Sequence, residues 1–160
     1  MRIENATFIA MKEIARYSGC FVCGDQNEFG LHARFYFKDN RAFTECVASR
    51  RFEGYHDIYH GGITATLMDE VMIKALLAKN IFALTVELTV KFHKAVYINQ
   101  TLRFEGWMEK RRGRLFITHG EARNEQGDLV ATAAGKYLQA GSKMQEKLQE
   151  SLNRRRYKSK

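Results

Sequence analysis

A His-Gly-Gly turn, His60-Gly61-Gly62, opens the longest apolar helical stretch of the chain, and Asp69 follows two turns further in. Two glycines at a helix start let a ligand approach the backbone closely, and the first helical N–H groups have no partner within the helix. With the partial positive charge of the helix N-terminus, those amides suit a carbonyl oxygen that turns negative as a nucleophile attacks its carbon. A carboxylate can act as that nucleophile or activate a water to do so.

On a wheel of about 100° per residue, Ile63, Leu67, Val71, Ala75 and Ala78 form one face, while Ala65, Met72 and Leu76 surround Asp69 on another. A carboxylate in such surroundings is costly unless paired or kept for chemistry, and desolvation raises its pKa toward general-base values. The alternative is a buried aspartate tied to backbone amides or to a basic residue such as Lys91. Thr66, Glu70 and Lys74 make a polar strip along which Glu70 and Lys74, four apart, can pair. From Gly61 to Asp69 a helix rises about 12 Å, too far for both to touch one carbon atom. Two antiparallel copies about a two-fold axis would bring Gly61 of one near Asp69 of the other, which predicts an obligate homodimer with two equivalent sites.

The elements that must position these residues are marked by turn signals, and with no proline in the chain glycine supplies most of them. Residues 5–17 have helical spacing, with Phe8, Met11, Ile14 and Ala15 on one face, and Ser18-Gly19 ends them. Residues 31–38 and 41–50 flank Asp39-Asn40 and predict a hairpin. After the long helix and a break near Asn80, residues 85–93 alternate: Val86, Leu88, Val90 and Phe92 on one face, Thr85, Glu87, Thr89, Lys91 and His93 on the other. Residues 102–110, 114–124 and 129–139 follow as strands, parted by turns at residues 111–113 and 125–128. Strands grouped around one buried helix predict an α+β fold, an antiparallel sheet wrapped around that helix. The domain plan is an N-terminal helix over 1–19, one domain over 20–140, and a basic helix and tail over 141–160.

Composition narrows the classes. A chain of 160 residues with 45% hydrophobic content makes one globular domain, and no apolar run is long enough to span a membrane. The N-terminus mixes Arg2, Glu4, Lys12, Glu13 and Arg16 among its hydrophobics, unlike a signal peptide, so the expected location is cytoplasmic. Of the net charge of +8, +5 comes from residue 143 onward, seven basic residues against two acidic. That tail is a solvated end or a nonspecific anchor for nucleic acid or acidic membrane, and one N-terminal helix is too little for a helix-turn-helix, so a nucleic-acid partner is not expected. Three cysteines, Cys20, Cys23 and Cys46, argue against a disulfide framework. Structural zinc wants four ligands; Cys46, His32 or His56 could complete a Cys20/Cys23 site only by the accident of folding, so no metal is expected.

Three stretches, residues 20–31 (CFVCGDQNEFGL), 60–70 (HGGITATLMDE) and 85–95 (TVELTVKFHKA), resemble hotdog-fold thioesterases of the PaaI and 4-hydroxybenzoyl-CoA thioesterase-like type. The middle motif is the specific one, and the similarity covers roughly residues 20–139. The resemblance implies that the Gly61 N–H binds a thioester carbonyl and that Asp69 handles water or attacks the carbonyl. It also implies that His60 orients the substrate, unless it only caps the helix, and that Thr85 helps hold the water. Gly62 and Tyr59 join the substrate-binding set; Phe52, Tyr55, Tyr59 and Phe82 could line an acyl tunnel or simply fill the core. Lys110, Arg111, Arg112 and Arg114 around one turn could meet the phosphates of coenzyme A. Two positions depart from the family: Gly54 stands where members often carry Asn or Gln, and Lys94-Ala95 where they tend to have Pro.

The function expected is hydrolysis of an acyl-CoA or acyl-carrier-protein thioester by a homodimer or homotetramer, with coenzyme A part of the substrate and no separate cofactor. The alternative is a non-catalytic hotdog module that binds acyl-CoA in a sensing role. A related dehydratase is a third possibility, but its usual histidine context is not recognisable here.

Overall fold

The computed structural model describes residues 11–153. In chain order the elements are β1 (Lys12–Glu13), β2 (Tyr36–Lys38), β3 (Arg41–Val47), α1 (Gly61–Leu77), β4 (Ala83–Phe92), β5 (Thr101–Arg112), β6 (Leu115–Asn124), β7 (Leu129–Gln139) and α2 (Ser142–Asn153). Turn chemistry accounts for the breaks. Asp39 and Asn40 both take left-handed backbone angles, φ 49° and 63°, as a two-residue hairpin between right-twisted strands requires. Gly113 (φ 59°) and Gly127 (φ 84°) turn the next two hairpins, and Asn80 (φ 58°) follows the end of α1.

The seven strands form one antiparallel sheet in the order β1-β2-β3-β5-β6-β7-β4, wrapped around α1 as expected. Glycine sets how closely the helix can sit. Gly106 and Gly120 face each other across β5 and β6, and a Cβ at Gly106 would lie 2.7 Å from the Val71 carbonyl oxygen. Leu67, Val71, Met72 and Ala75 of α1 are fully buried there, with Leu102, Phe104 and Phe116 of the sheet. Among the described residues no helix is long and apolar enough to cross a membrane.

The structure corrects three expectations. Residues 11–17 are not helical: Lys12–Glu13 pair with β2, and the Ile14 N–H donates to the Phe35 carbonyl at 2.8 Å. Burial of Ile14 against the sheet decides the conformation over local spacing; residues 1–10, and the basic end at 154–160, lie outside the described residues.

The strip of Glu70 and Lys74 is covered by the N-terminal segment. Lys74 is 1% exposed, and its Nζ donates to the Ala15 carbonyl at 2.6 Å, lies 3.6 Å from Glu70, and sits over the rings of Tyr17 and Phe35. The expected pair exists, but buried.

The alternation of β4 is broken at its start. A bulge between Thr85 and Glu87 shifts the pairing, so Thr85 lies opposite Tyr137 while Glu87 lies opposite Lys136. Thr85 therefore shares the inner face with Leu88 and Val90, and Val86 is left 56% exposed. β4 is also the last strand of the sheet, an open edge on which Leu84, Val86 and Phe92 are all exposed.

Candidate active site

The start of α1 is built around the His60 ring. His60 is the N-cap, extended at φ −64°, ψ 124°, and its Nδ1 accepts from the Gly62 N–H at 2.9 Å. The His60 carbonyl accepts from the Ile63 and Thr64 amides. Of the first four amides of the helix, only that of Gly61 is left without an acceptor among the described residues. The capping role of His60 is thus direct, and it leaves one N–H at the positive end of the helix dipole.

The two glycines are needed for different reasons, and neither has a positive φ. A Cβ at Gly62 would come within 2.8 Å of the His60 ring and expel the cap, whereas a Cβ at Gly61 would meet only the edge of the Phe92 ring at 3.4 Å. Gly54 also lies against the His60 ring, so this position brings no side-chain amide to the site.

Gly61 opens into a cavity of about 910 Å³ lined by His60, Gly62, Tyr55, Tyr59, Phe92 and Val130, with neighbours from the loop before α1 and the end of β4. Tyr59 is 4% exposed, and burial pushes its phenol well up, beside Cys46. Of the aromatics expected along an acyl tunnel, Tyr55 and Tyr59 line this cavity; Phe52 and Phe82 do not.

Asp69 forms a second locus. Its Oδ1 accepts from Thr85 Oγ1 at 3.0 Å and from the Tyr137 hydroxyl at 2.8 Å. Both donors converge on one oxygen, and among the described residues Oδ2 receives no hydrogen bond. Asp69 is half-buried and tied to these hydroxyls; Lys91 lies on the outward side of β4, opposite Thr132.

Tyr137 is the residue that sequence reasoning missed. Fully buried, it leans across Gly135, where a Cβ would be 2.5 Å from its ring. Burial, with the Asp69 charge beside it, pushes its phenol far above the usual range, so it stays a donor. The only sequence signal was a glycine two residues before an aromatic on one strand face.

The basic turn is a third locus. Arg111 Nε donates to the Gly113 carbonyl, Arg114 to the Gln139 carbonyl at 2.8 Å, and the Arg111 guanidinium stacks on Phe116. Lys110 and Arg112 are exposed. None of the four lines the Gly61 cavity. Gln139 pairs with Ala83, so the turn lies near the Thr85 end of β4, and the cavity lies at the Phe92 end.

Within one chain, then, the structure gathers His60, Gly61, Gly62 and Tyr59 in one place and Asp69, Thr85 and Tyr137 in another.

Residues 56–131 match the family model of the thioesterase superfamily. No curated protein sequence matches the chain. Among solved structures, a thioesterase superfamily protein is similar at 20% identity and a TM-score of 0.72, with 76% of this chain and 60% of that one covered. The E. coli PaaI protein of the phenylacetic acid degradation operon gives 20% identity and a TM-score of 0.65, over 69% of this chain and 81% of its own. A Streptococcus mutans protein bound to acetyl CoA gives 15% and 0.63, over 88% and 96%. The helix, the sheet around it and the matched residues agree: the chain has the hotdog fold of these thioesterase structures, and its residues 56–131 match the thioesterase superfamily model.

Proposed function

We propose that this protein hydrolyses the thioester of an acyl-CoA or acyl-carrier protein at sites shared between two copies of the chain. The observation that carries the proposal is the Gly61 amide, without an acceptor among the described residues, at a helix N-terminus that lines a cavity large enough for an acyl thioester.

The carbonyl oxygen accepts from the Gly61 N–H. Asp69 of the other copy takes a proton from water through Oδ2, and the water oxygen bonds to the carbonyl carbon as its π electrons move to the oxygen. Collapse of that oxyanion re-forms the carbonyl and breaks the carbon–sulfur bond; the thiolate leaves with its electron pair and takes the proton held by Asp69, giving free acid and thiol and restoring the carboxylate. Thr85 and Tyr137 fix Oδ1 and so aim Oδ2. Direct attack by Asp69 is the other use of the same geometry, and labelled water separates the two: ¹⁸O enters the carboxylate of Asp69 only if the aspartate attacks.

Two further observations support the reading. The open edge of β4 offers a second copy a strand to pair with, and about 12 Å of helix between Gly61 and Asp69 leaves each chain half a site. The acetyl CoA in one similar structure supports a coenzyme A thioester as substrate. Lys110 and Arg112, exposed beside the Asp69 half of the site, are offered for its phosphates.

Release of free thiol from acyl-CoAs of graded length tests this, with two variants. Gly61→Pro removes the donor and adds a ring at the cavity wall beside Phe92: the first helical position tolerates proline, and His60 already has the extended backbone that must precede one. It should cost roughly 10²–10³ in kcat with the fold intact. Asp69→Asn should cost roughly 10²–10⁴. Thiol release undiminished in both folded variants would end the proposal, as would acyl-CoA that raises the melting temperature without any thiol appearing.

A further inference from the structure

Apart from the cavity, three metal-ligating side chains meet where the N-terminal segment covers α1. The sulfurs of Cys20 and Cys23 and a carboxylate oxygen of Glu70 all lie within 4.8 Å of one another. The backbone of residues 20–24 is shaped for a pair of thiolate ligands. The Gly24 N–H donates to the Cys20 carbonyl at 2.9 Å and closes the turn, and the Val22 N–H donates to Cys20 Sγ at 3.3 Å. An amide aimed at sulfur favours thiolate over thiol. A Cβ at Gly24 would come within 2.6 Å of three backbone atoms of Ser18 and Cys20, so this knuckle closes only on glycine. Its counterpart cluster, Glu53, His56 and Asp57, differs in kind, because Arg50 already bonds both carboxylates.

We propose that Cys20, Cys23 and Glu70 bind a zinc-type divalent cation, with water as fourth ligand on the side where Cys20 reaches the surface. Charge supports it. Two thiolates and a carboxylate around a dication leave one negative charge, and the Lys74 ammonium, 3.6 Å from Glu70, cancels it in a buried place where neutrality matters. The ion would pin the knuckle to α1 one residue from Asp69, and the inference stands independently of what reaction Asp69 serves. Neither Cys46 nor His56 completes this site; the third ligand comes from the helix, which cysteine spacing could not reveal.

The full chain, stripped by a chelator and kept reduced, is titrated with Co²⁺ and then Zn²⁺. The expected result is a near-ultraviolet sulfur-to-cobalt charge-transfer band with the visible bands of a four-coordinate ion, saturating at one ion per chain. Zinc should displace the cobalt and raise Tm. Cys20→Ser and Cys23→Ser should abolish the band, Cys46→Ser should keep it, and Glu70→Gln should weaken cobalt binding by at least ~10-fold, the least that loss of a metal-site partner costs. Should the cysteine variants fail to fold, zinc protection of wild-type Cys20 and Cys23 against alkylation, read by mass spectrometry, supplies the same answer. Absence of the band, equal alkylation of both cysteines with and without zinc, or a Cys20–Cys23 disulfide that excludes cobalt overturns the proposal.

Discussion

Asp69 is positioned by two hydroxyls that reach it from different strands, and the geometry gives each a measurable share. A hydrogen bond to a charged group contributes about 1.5–3 kcal/mol, so Tyr137→Phe should lower kcat roughly 10–100-fold while leaving KM nearly unchanged. Thr85→Val should act in the same direction. Because both donors serve the same oxygen, the double variant should lose less than the product of the two single losses. A product equal to the two single effects would show that the hydroxyls work separately. At this scale the sequence could single out His60, Gly61 and Asp69 as candidates, because spacing along one helix is local. It did not reveal Tyr137, 68 positions from Asp69, nor the true reason for Gly62, which is the space taken by the His60 ring. It placed Thr85 on the wrong face, since a bulge leaves no mark in a pattern of alternating residue types.

The elements are fixed by how closely α1 can approach the sheet, and glycine at two facing positions allows that approach. A methyl group at Gly106 would meet the backbone of Val71 and Met72 at 2.7–2.9 Å, atoms that move only if the helix moves. Gly106→Ala should therefore destabilise the fold by about 2–3 kcal/mol and lower Tm by roughly 5–10 °C. Gly19→Ala, where nothing lies within 4 Å, should change Tm by no more than ~2 °C. Thermal unfolding of the two variants side by side checks the claim, and equal shifts would refute it. Asp39-Asn40, Gly113 and Gly127 could be read as turns because left-handed backbone suits those residue types. The N-terminal segment could not. Its spacing was helical, but burial of Ile14 on the sheet and the Lys74 bond to the Ala15 carbonyl are long-range contacts that outweigh local preference.

At the scale of the whole molecule, one chain holds an amide without an acid beside it and an acid without an amide, so activity should be a property of pairs. Two inactive variants provide a direct reading. Gly61→Pro keeps Asp69, Thr85 and Tyr137 intact; Asp69→Asn keeps the His60 turn and its amide. If each site takes Gly61 from one copy and Asp69 from the other, a mixed dimer has one doubly damaged site and one fully native site. Random reassociation of equal amounts makes half of the dimers mixed, so the mixture should recover about a quarter of wild-type activity, although neither parent has any to speak of. A charge on the open edge, Val86→Lys, should weaken the pairing of copies and reduce activity in proportion to the dimer lost, with sedimentation and thiol release measured on the same samples. Should both groups instead serve one site within a single chain, mixing the two variants would restore nothing, and the lysine variant would stay active as a monomer.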